Sequence, residues 1–145
     1  MSSLEENRAI VTRYLREVWD NGDMSVLDEL LSPDFRSHSG AQDRQGNRED
    51  ERRMVASFLE AFGNFKTTIL DQLADGDKVC TRWTAVGVHR ASFAGVPPTG
   101  RTVAMSGMEI ARISGGRIVD DWINFDMAEL IQQLTGAPAT PPTQK

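Results

Sequence analysis

Apolar residues in the first part of the chain recur with the spacing of helices. In residues 4–20 they form one broad stripe with a 3.6-residue period, and the same pattern predicts helices over 24–31 and 47–62. Residues 35–39 predict a short strand, and the polar residues 40–46 predict a loop. We therefore expect this part of the chain to be mainly helical.

The pattern changes after residue 64. Strand-favouring Val, Ile, Thr, Phe and Trp become frequent in four segments, 65–73, 78–89, 101–113 and 117–125. Turn sequences at 75–77 and 114–116 suit tight antiparallel hairpins, and a last helix is predicted over 127–134. Helices followed by a four-stranded antiparallel meander predict an α+β fold. We expect a curved sheet with N-terminal helices that encloses a pocket.

Length and charge narrow the classes of function. The chain has 145 residues, which fits one domain over 1–136 followed by a Pro-rich tail over 137–145. Its 16 basic and 21 acidic residues give a net charge of −5, which argues against nucleic acid as a partner. No apolar run reaches the ~20 residues of a membrane span. The start, MSSLEENRAI, does not resemble a signal peptide, so we expect a cytoplasmic protein.

The sequence contains few of the residues and motifs that metal binding, disulfide bonds or nucleophilic catalysis require. Cys80 is the single cysteine and there are two histidines, so neither an internal disulfide nor a usual zinc site is expected. The motifs of Ser hydrolases, P-loops, dinucleotide sites and zinc proteases are absent. We therefore look for ionisable groups on the strand faces that line the predicted pocket.

Asp121 is the first candidate for acid–base chemistry. Alternation along its strand places it on one face with Val119, Ile123 and Phe125, and burial there would raise the pKa of its carboxyl towards neutral pH. The alternative is an exposed Asp121, or one paired with Arg101 or Arg112. A β-bulge would exchange its face with that of Asp120.

Glu109 and His38 are the other candidate catalytic groups. Glu109 shares a strand face with Met105, although Arg112 offers it an ion-pair partner. His38 ends a short strand before a loop that could cover the pocket mouth. The candidate substrate-binding residues are Tyr14, Trp19, Ser37, Trp83, His89, Met105, Ile123 and Phe125. Apolar Met108, Ile110 and Trp122 fall on the opposite face of the sheet, which predicts a homodimer or homotetramer.

Three stretches of the sequence resemble the SnoaL-like polyketide cyclase family, over roughly residues 5–135. They are the opening at 21–35, the loop Gly95-Val96-Pro97-Pro98-Thr99-Gly100, and the closing strand and helix that begin at Arg112. The resemblance implies the cone-shaped α+β barrel of nuclear transport factor 2-like proteins. It also implies an aldol ring closure on an aromatic polyketide, as in anthracycline biosynthesis, in which an aspartate moves the proton and no metal or organic cofactor is used.

The site residues of the cyclases are not all kept. Counted back from Gln133-Leu134, the cyclase aspartate falls on Ile123 and the cyclase histidine on Glu109, while Ser37 stands where cyclases carry Asn. Asp121 lies two residues from the lost aspartate and could take over its role. The resemblance leaves open a polyketide hydroxylase or hydroxylase component of the same family, and a non-catalytic protein that binds small molecules.

Overall fold

The computed structural model describes residues 3–136, which form helices packed on one sheet. The helices are α1 (Leu4–Arg13), α2 (Met24–Leu30), α3 (Arg48–Ala61) and α4 (Met127–Thr135), and a π-helix over Tyr14–Asp20 continues α1. The strands are β1 (Leu31–Ser39), β2 (Arg44–Gly46), β3 (Phe62–Asp75), β4 (Lys78–His89), β5 (Thr102–Ser114) and β6 (Arg117–Phe125). The predicted tail at 137–145 lies outside the described residues.

The strands form a single open sheet in the order β2-β1-β6-β5-β4-β3. Strands β3 to β6 are the antiparallel meander that the sequence predicts. The prediction of a purely antiparallel sheet is wrong, because β1 runs parallel to β6. The predicted loop over 40–46 also contains β2, which pairs with β1. β2 has three residues and no buried position, so hydrophobic alternation could not reveal it.

The first helical segment is not one regular helix over 4–20. It is α-helical to Arg13 and π-helical from Tyr14 to Asp20. Ser3 caps its start by accepting a hydrogen bond from the backbone N–H of Glu6 at 3.0 Å. Hydrogen bonds in a π-helix join residues five apart, and this geometry lets both Tyr14 and Trp19, five residues on, turn towards the sheet.

Alternate residues of β4, β5 and β6 face the helices, and we call this side the inner face. A register shift beside Arg112 and Ile113 gives β6 one extra residue. Ile118 and Asp121 are therefore both buried although they are three residues apart. Val119 is only half-buried, so the prediction that it shares the face of Asp121 by simple alternation does not hold.

Two groups of buried apolar residues hold the helices against the inner face. The first surrounds Val11, Tyr14, Leu27 and Val55 and joins the N-terminal helices to the sheet. The second surrounds Phe62, Met105, Leu130 and Leu134 and seats α4. Each fully buried side chain of this size contributes roughly 1.5–3 kcal/mol. Such packing fixes the polar groups that lie among the apolar ones.

Large apolar side chains also lie on the opposite, outer face of the sheet. Met108, Ile110 and Trp122 are exposed there, as alternation predicts. Strand register sets Leu73, Cys80, Ile110 and Trp122 side by side across four strands. Among residues 3–136, the helices are all too short or too polar to span a bilayer.

Candidate active site

Four buried polar side chains interact between the helices and the sheet. Tyr14, Glu51, Glu109 and Asp121 are exposed by only 4%, 7%, 6% and 6%. They come from four different elements, namely the π-helix, α3, β5 and β6. We call these four residues the acidic cluster. Electrostatic interactions connect the groups, so the charge of one influences the protonation of the others.

Strand register brings Glu109 and Asp121 together on the inner face. Ile123 lies opposite Glu109 and Ala111 lies opposite Asp121, so the two carboxyl groups are diagonal neighbours. Burial raises the pKa of both carboxyls, and the charge of Glu109 raises the pKa of Asp121 further. A proton on either carboxyl allows a hydrogen bond to the other.

The unpaired atoms of these carboxyls also indicate a shared proton. If both groups were ionised, Glu109 Oε1 and Asp121 Oδ1 would be buried without any donor, and each such atom carries a large penalty. A proton on one carboxyl supplies a donor to the other. Two neighbouring buried carboxyl groups are not both ionised, because their negative charges would repel each other. We therefore treat Asp121 and Glu109 as a pair that holds one proton.

Glu51 is positioned by the first turn of α3 and by Tyr14. Asn47 caps the helix and forms a capping box with Asp50, which fixes the turn that carries Glu51. Tyr14 Oη donates a hydrogen bond to Glu51 Oε2 at 2.6 Å. Burial raises the pKa of Glu51 to about 7, although the bond from Tyr14 opposes this. Burial also raises the pKa of Tyr14, so the phenol remains a donor.

Aromatic rings continue the interior beyond the acidic cluster, along α3 and β6. Phe58 is central, and its ring centroid lies 5.0–6.0 Å from those of Trp19, Phe62, Phe93 and Phe125. Trp83 stacks on Phe125 with centroids 6.2 Å apart. We call these six residues the aromatic cluster. It brings together Trp19, Trp83 and Phe125, which the sequence predicts as pocket-lining residues.

His38 lies on the outer face, away from the acidic cluster. Its ring stacks on Trp122 at 4.8 Å, and its two nitrogens lie 2.7 Å from Asp43 Oδ1 and 2.9 Å from Asp120 Oδ1. The hydrogen bond with Asp120 is the main cause of a raised His38 pKa. Burial alone would raise the pKa of Asp120, but bonds from His38 and Arg112 bring it below its ordinary value. The adjacent Asp120 and Asp121 are therefore in opposite environments.

The other predicted binding residues are spread along the inner face. Ser37 is half-buried and in register with Asp121 on the parallel strand β1, where its hydroxyl donates to the Gly46 carbonyl at 3.4 Å. Ile123 is half-buried opposite Glu109. Met105 is buried in the core group around α4.

His89 lies at the far end of β4 and is fully buried. Its Nδ1 accepts a hydrogen bond from the Thr99 N–H at 3.1 Å, and its ring centroid lies 5.6 Å from that of Phe62. His89 comes eight positions after Thr81 on β4, and Thr81 is the residue that pairs with Glu109 of β5. Its contacts therefore hold the loop that contains Thr99, and they do not reach the acidic cluster.

Sequence reasoning missed Glu51 and Phe58. Both lie on the buried stripe of α3, and Val55 is four residues after Glu51 on that stripe. The available signal was a glutamate aligned with the apolar residues of an amphipathic helix. Phe58 lies on the apolar side of the predicted helix over 47–62, and periodicity does not distinguish a packed ring from one that borders a binding site.

A crevice elsewhere on the protein has no part in this arrangement. It has a volume of about 340 Å³ and lies between α1, α2 and the β5–β6 turn, where Arg13, Glu29 and Arg117 border it. None of its lining residues belongs to the acidic or the aromatic cluster. Within residues 3–136, His, Cys, Asp and Glu side chains are nowhere grouped in threes that could hold a metal ion.

Comparison with known proteins identifies what the chain is similar to. The family model for SnoaL-like polyketide cyclases matches residues 9–134. AclR, a candidate hydroxylase from Streptomyces galilaeus, is 27% identical with a TM-score of 0.87, and the match covers 97% of this chain and 87% of AclR. IdmH, a candidate polyketide cyclase from Streptomyces antibioticus, is 30% identical with a TM-score of 0.78, over 89% of this chain and 98% of IdmH.

A third structure supports the fold alone. A candidate SnoaL-like polyketide cyclase from Jannaschia sp. CCS1 is 22% identical with a TM-score of 0.83, over 95% of this chain and 98% of the other. Among curated proteins, none matches the chain.

Proposed function

The chain belongs to the SnoaL-like polyketide cyclase family, and we propose that it closes a ring of an aromatic, anthracycline-type polyketide by an intramolecular aldol reaction. The proposed reaction uses no metal or organic cofactor. The observation that supports it best is the burial of the Asp121–Glu109 pair in an interior continued by aromatic rings, and we infer that this pair holds one proton. A carbon acid flanked by carbonyl groups needs such a base, together with an acid for the new hydroxyl.

The pair supplies both proton transfers of an aldol closure. Glu109, as the carboxylate, takes a proton from the activated carbon, and the C–H electron pair becomes part of the enolate. The enolate carbon attacks a second carbonyl carbon of the same molecule, so that a C–C bond forms and the π electrons move to that carbonyl oxygen. Asp121 then gives its proton to this oxygen. The pair ends with one proton, now on Glu109, and its transfer back to Asp121 restores the starting state.

The aromatic cluster explains why the proposed substrate is flat and apolar. Aromatic rings stack on planar ligands and exclude water from the reacting atoms. Trp19 and Phe125, whose ring centroids each lie 5.9 Å from that of Phe58, offer such surfaces. His38 has no role in the proposed reaction, because it faces the opposite side of the sheet.

Proton exchange at carbon tests this function without knowledge of the natural substrate. The probe is 2-tetralone, a bicyclic ketone with a fused benzene ring, and NMR in D2O follows exchange of the benzylic C–H that lies next to the carbonyl. We expect Glu109→Gln, which removes the proposed base, to slow exchange by about 10²–10⁴-fold. Asp120→Asn is the matched control and should exchange like the wild type, since Asp120 faces outward. Wild-type exchange in folded Glu109→Gln would remove the proposed base.

Hydroxylation of a polyketide is the second candidate function. It is favoured by the similarity to AclR over nearly the whole chain and by Ile123 at the position of the cyclase aspartate. This reaction would take an oxygen atom from dioxygen and electrons from an added reduced donor. Incorporation of ¹⁸O from labelled dioxygen into an aromatic polyketide would support it over the cyclase. Saturable binding with neither reaction would indicate a binding protein.

We also propose that a second copy of the chain covers the outer face. Exposed Met108, Ile110 and Trp122 form an apolar surface larger than isolated exposed residues explain. Sedimentation of the wild type should show at least twice the 16.1 kDa chain mass. Ile110→Asp should yield monomers, whereas Leu4→Asp, at an exposed apolar position on α1, should not. A monomeric wild type at micromolar concentration would contradict this proposal.

A further inference from the structure

Glu51 is a buried carboxyl with no part in the two proton transfers. It shares the interior with the Asp121–Glu109 pair but projects from α3 and not from the sheet. We propose that neutral Glu51, held by Tyr14, donates a hydrogen bond to the substrate oxygen that becomes the enolate. This inference rests on the proposed acid–base function and names the group that stabilises the negative charge in the same site.

The hydrogen bond from Tyr14 determines which oxygen of Glu51 is available. Tyr14 Oη donates to Oε2, and among the described residues no hydrogen bond involves Oε1. The carbonyl oxygen of a carboxylic acid is its better acceptor, so the bond from Tyr14 to Oε2 favours the proton on Oε1, from which it can be donated to a ligand. Because linked hydrogen bonds polarise one another, the bond from Tyr14 strengthens Glu51 as a donor.

Burial and the charge of Glu109 from β5 favour the neutral form of Glu51. The hydrogen bond from Tyr14 of the π-helix favours the ionised form but does not outweigh them, and the Asp121 carboxyl of β6 is the neutral member of the pair. No described Lys, Arg or His is paired with Glu51. Ionised Glu51 would add a second negative charge beside the one on the Asp121–Glu109 pair, where all three carboxyl groups are buried.

A neutral acid is also the form that enolate stabilisation requires. A carboxylate only accepts hydrogen bonds, whereas a carboxylic acid donates one. Donors fixed in a dry site before the reaction stabilise the charge that develops in the transition state. Glu51 on α3 and the Asp121–Glu109 pair on the sheet thus give the site separate groups for the oxygen and for the carbon of one ketone.

Infrared spectroscopy tests the hydrogen bond without any turnover. The probe is 2-tetralone labelled with ¹³C at the carbonyl, and the measurement is the frequency of its bound carbonyl band. At about pH 6 the band should be lower in the wild type than in Glu51→Leu, because a donated hydrogen bond weakens the C=O bond. In the wild type this difference should disappear at about pH 9, where ionised Glu51 cannot donate.

Two further variants separate donation from packing. Glu51→Gln keeps an N–H donor without a titrating proton, so its lowered band should persist at both pH values. Tyr14→Phe should give a smaller shift, because Glu51 loses its support. Glu60→Gln changes an exposed residue of the same helix and should match the wild type. An equal carbonyl frequency in the wild type and Glu51→Leu would overturn the proposal, and so would failure of the wild type to bind the ketone.

The same probe distinguishes this inference from the proposed function. A wild type that exchanges the benzylic proton but shows no band shift retains the acid–base function and refutes the role of Glu51. A wild type that shows the shift but no exchange supports the oxygen site and refutes the catalytic function. Glu109→Gln should lose exchange and keep the shift.

Discussion

Replacing Glu51 by glutamine should change how the stability of the protein depends on pH. The pKa of Glu51 is about 7 in the folded protein, above its ordinary 4.5. Between these pH values the folded protein binds more protons than the unfolded chain, so the free energy of unfolding decreases as pH rises. The decrease reaches about 3 kcal/mol above both values. The glutamine side chain does not titrate, so the variant should lack this part of the dependence.

Urea denaturation followed by tryptophan fluorescence measures the effect. Relative to the wild type, Glu51→Gln should gain about 3 kcal/mol in unfolding free energy between about pH 4.5 and pH 8. Asp121 and Glu109 have raised pKa values too and keep a slope of the same sign in both proteins. Glu60→Gln should follow the wild type. Parallel curves for the wild type and Glu51→Gln would refute the account of Glu51 as a desolvated carboxyl.

Three further substitutions test other parts of the structure. Gly107→Ala would place a Cβ 2.5 Å from Trp83 Cζ2. Urea titrations should therefore show a free energy of unfolding lower by about 1–3 kcal/mol, and unchanged stability would contradict that packing. Asp120→Asn removes a bond to His38, so NMR should show the raised His38 pKa falling. The loss of stability should be larger below pH 6.5 than above the raised pKa, where only the ion pair with Arg112 is lost; an unchanged titration would contradict it. Phe58→Ala removes the central aromatic ring and should lower the free energy of unfolding by about 3 kcal/mol in the same titrations. A decrease below about 1 kcal/mol would show that the ring is not central to the packing.

Strands β1 and β6 show which side-chain orientations can be predicted from the sequence and which cannot. Alternation predicts that Asp121 faces inward, and its side chain is buried on the inner face. The extra residue of β6 comes before Asp121 and therefore does not disturb the alternation that follows it. The same alternation fails for Val119 on the other side of the irregularity. A bulge depends on pairing with β5, which a single strand sequence does not contain. The placement of His38 likewise depends on the parallel pairing of β1 with β6.

The sequence indicates the carboxyl groups on the strands of the acidic cluster more clearly than the one on α3. Asp121 and Glu109 stand out because a carboxyl interrupts the apolar positions of a strand face. Glu51 was less visible, since it lies among other acidic residues of the first turn of α3, where carboxylates are expected near the helix N-terminus. Only the packing of α3 over the sheet distinguishes the buried Glu51 from its exposed neighbours.

The shared proton of Asp121 and Glu109 is the central claim, and a residue-specific ¹³C NMR titration of the side-chain carboxyls tests it most directly. We predict that Asp121 titrates well above the ordinary pKa of 3.8, in a step that Glu109→Gln alters, while Asp120 titrates below 3.8 in the same spectra. An Asp121 carboxyl that titrates at or below 3.8, unaffected by Glu109→Gln, would contradict the account.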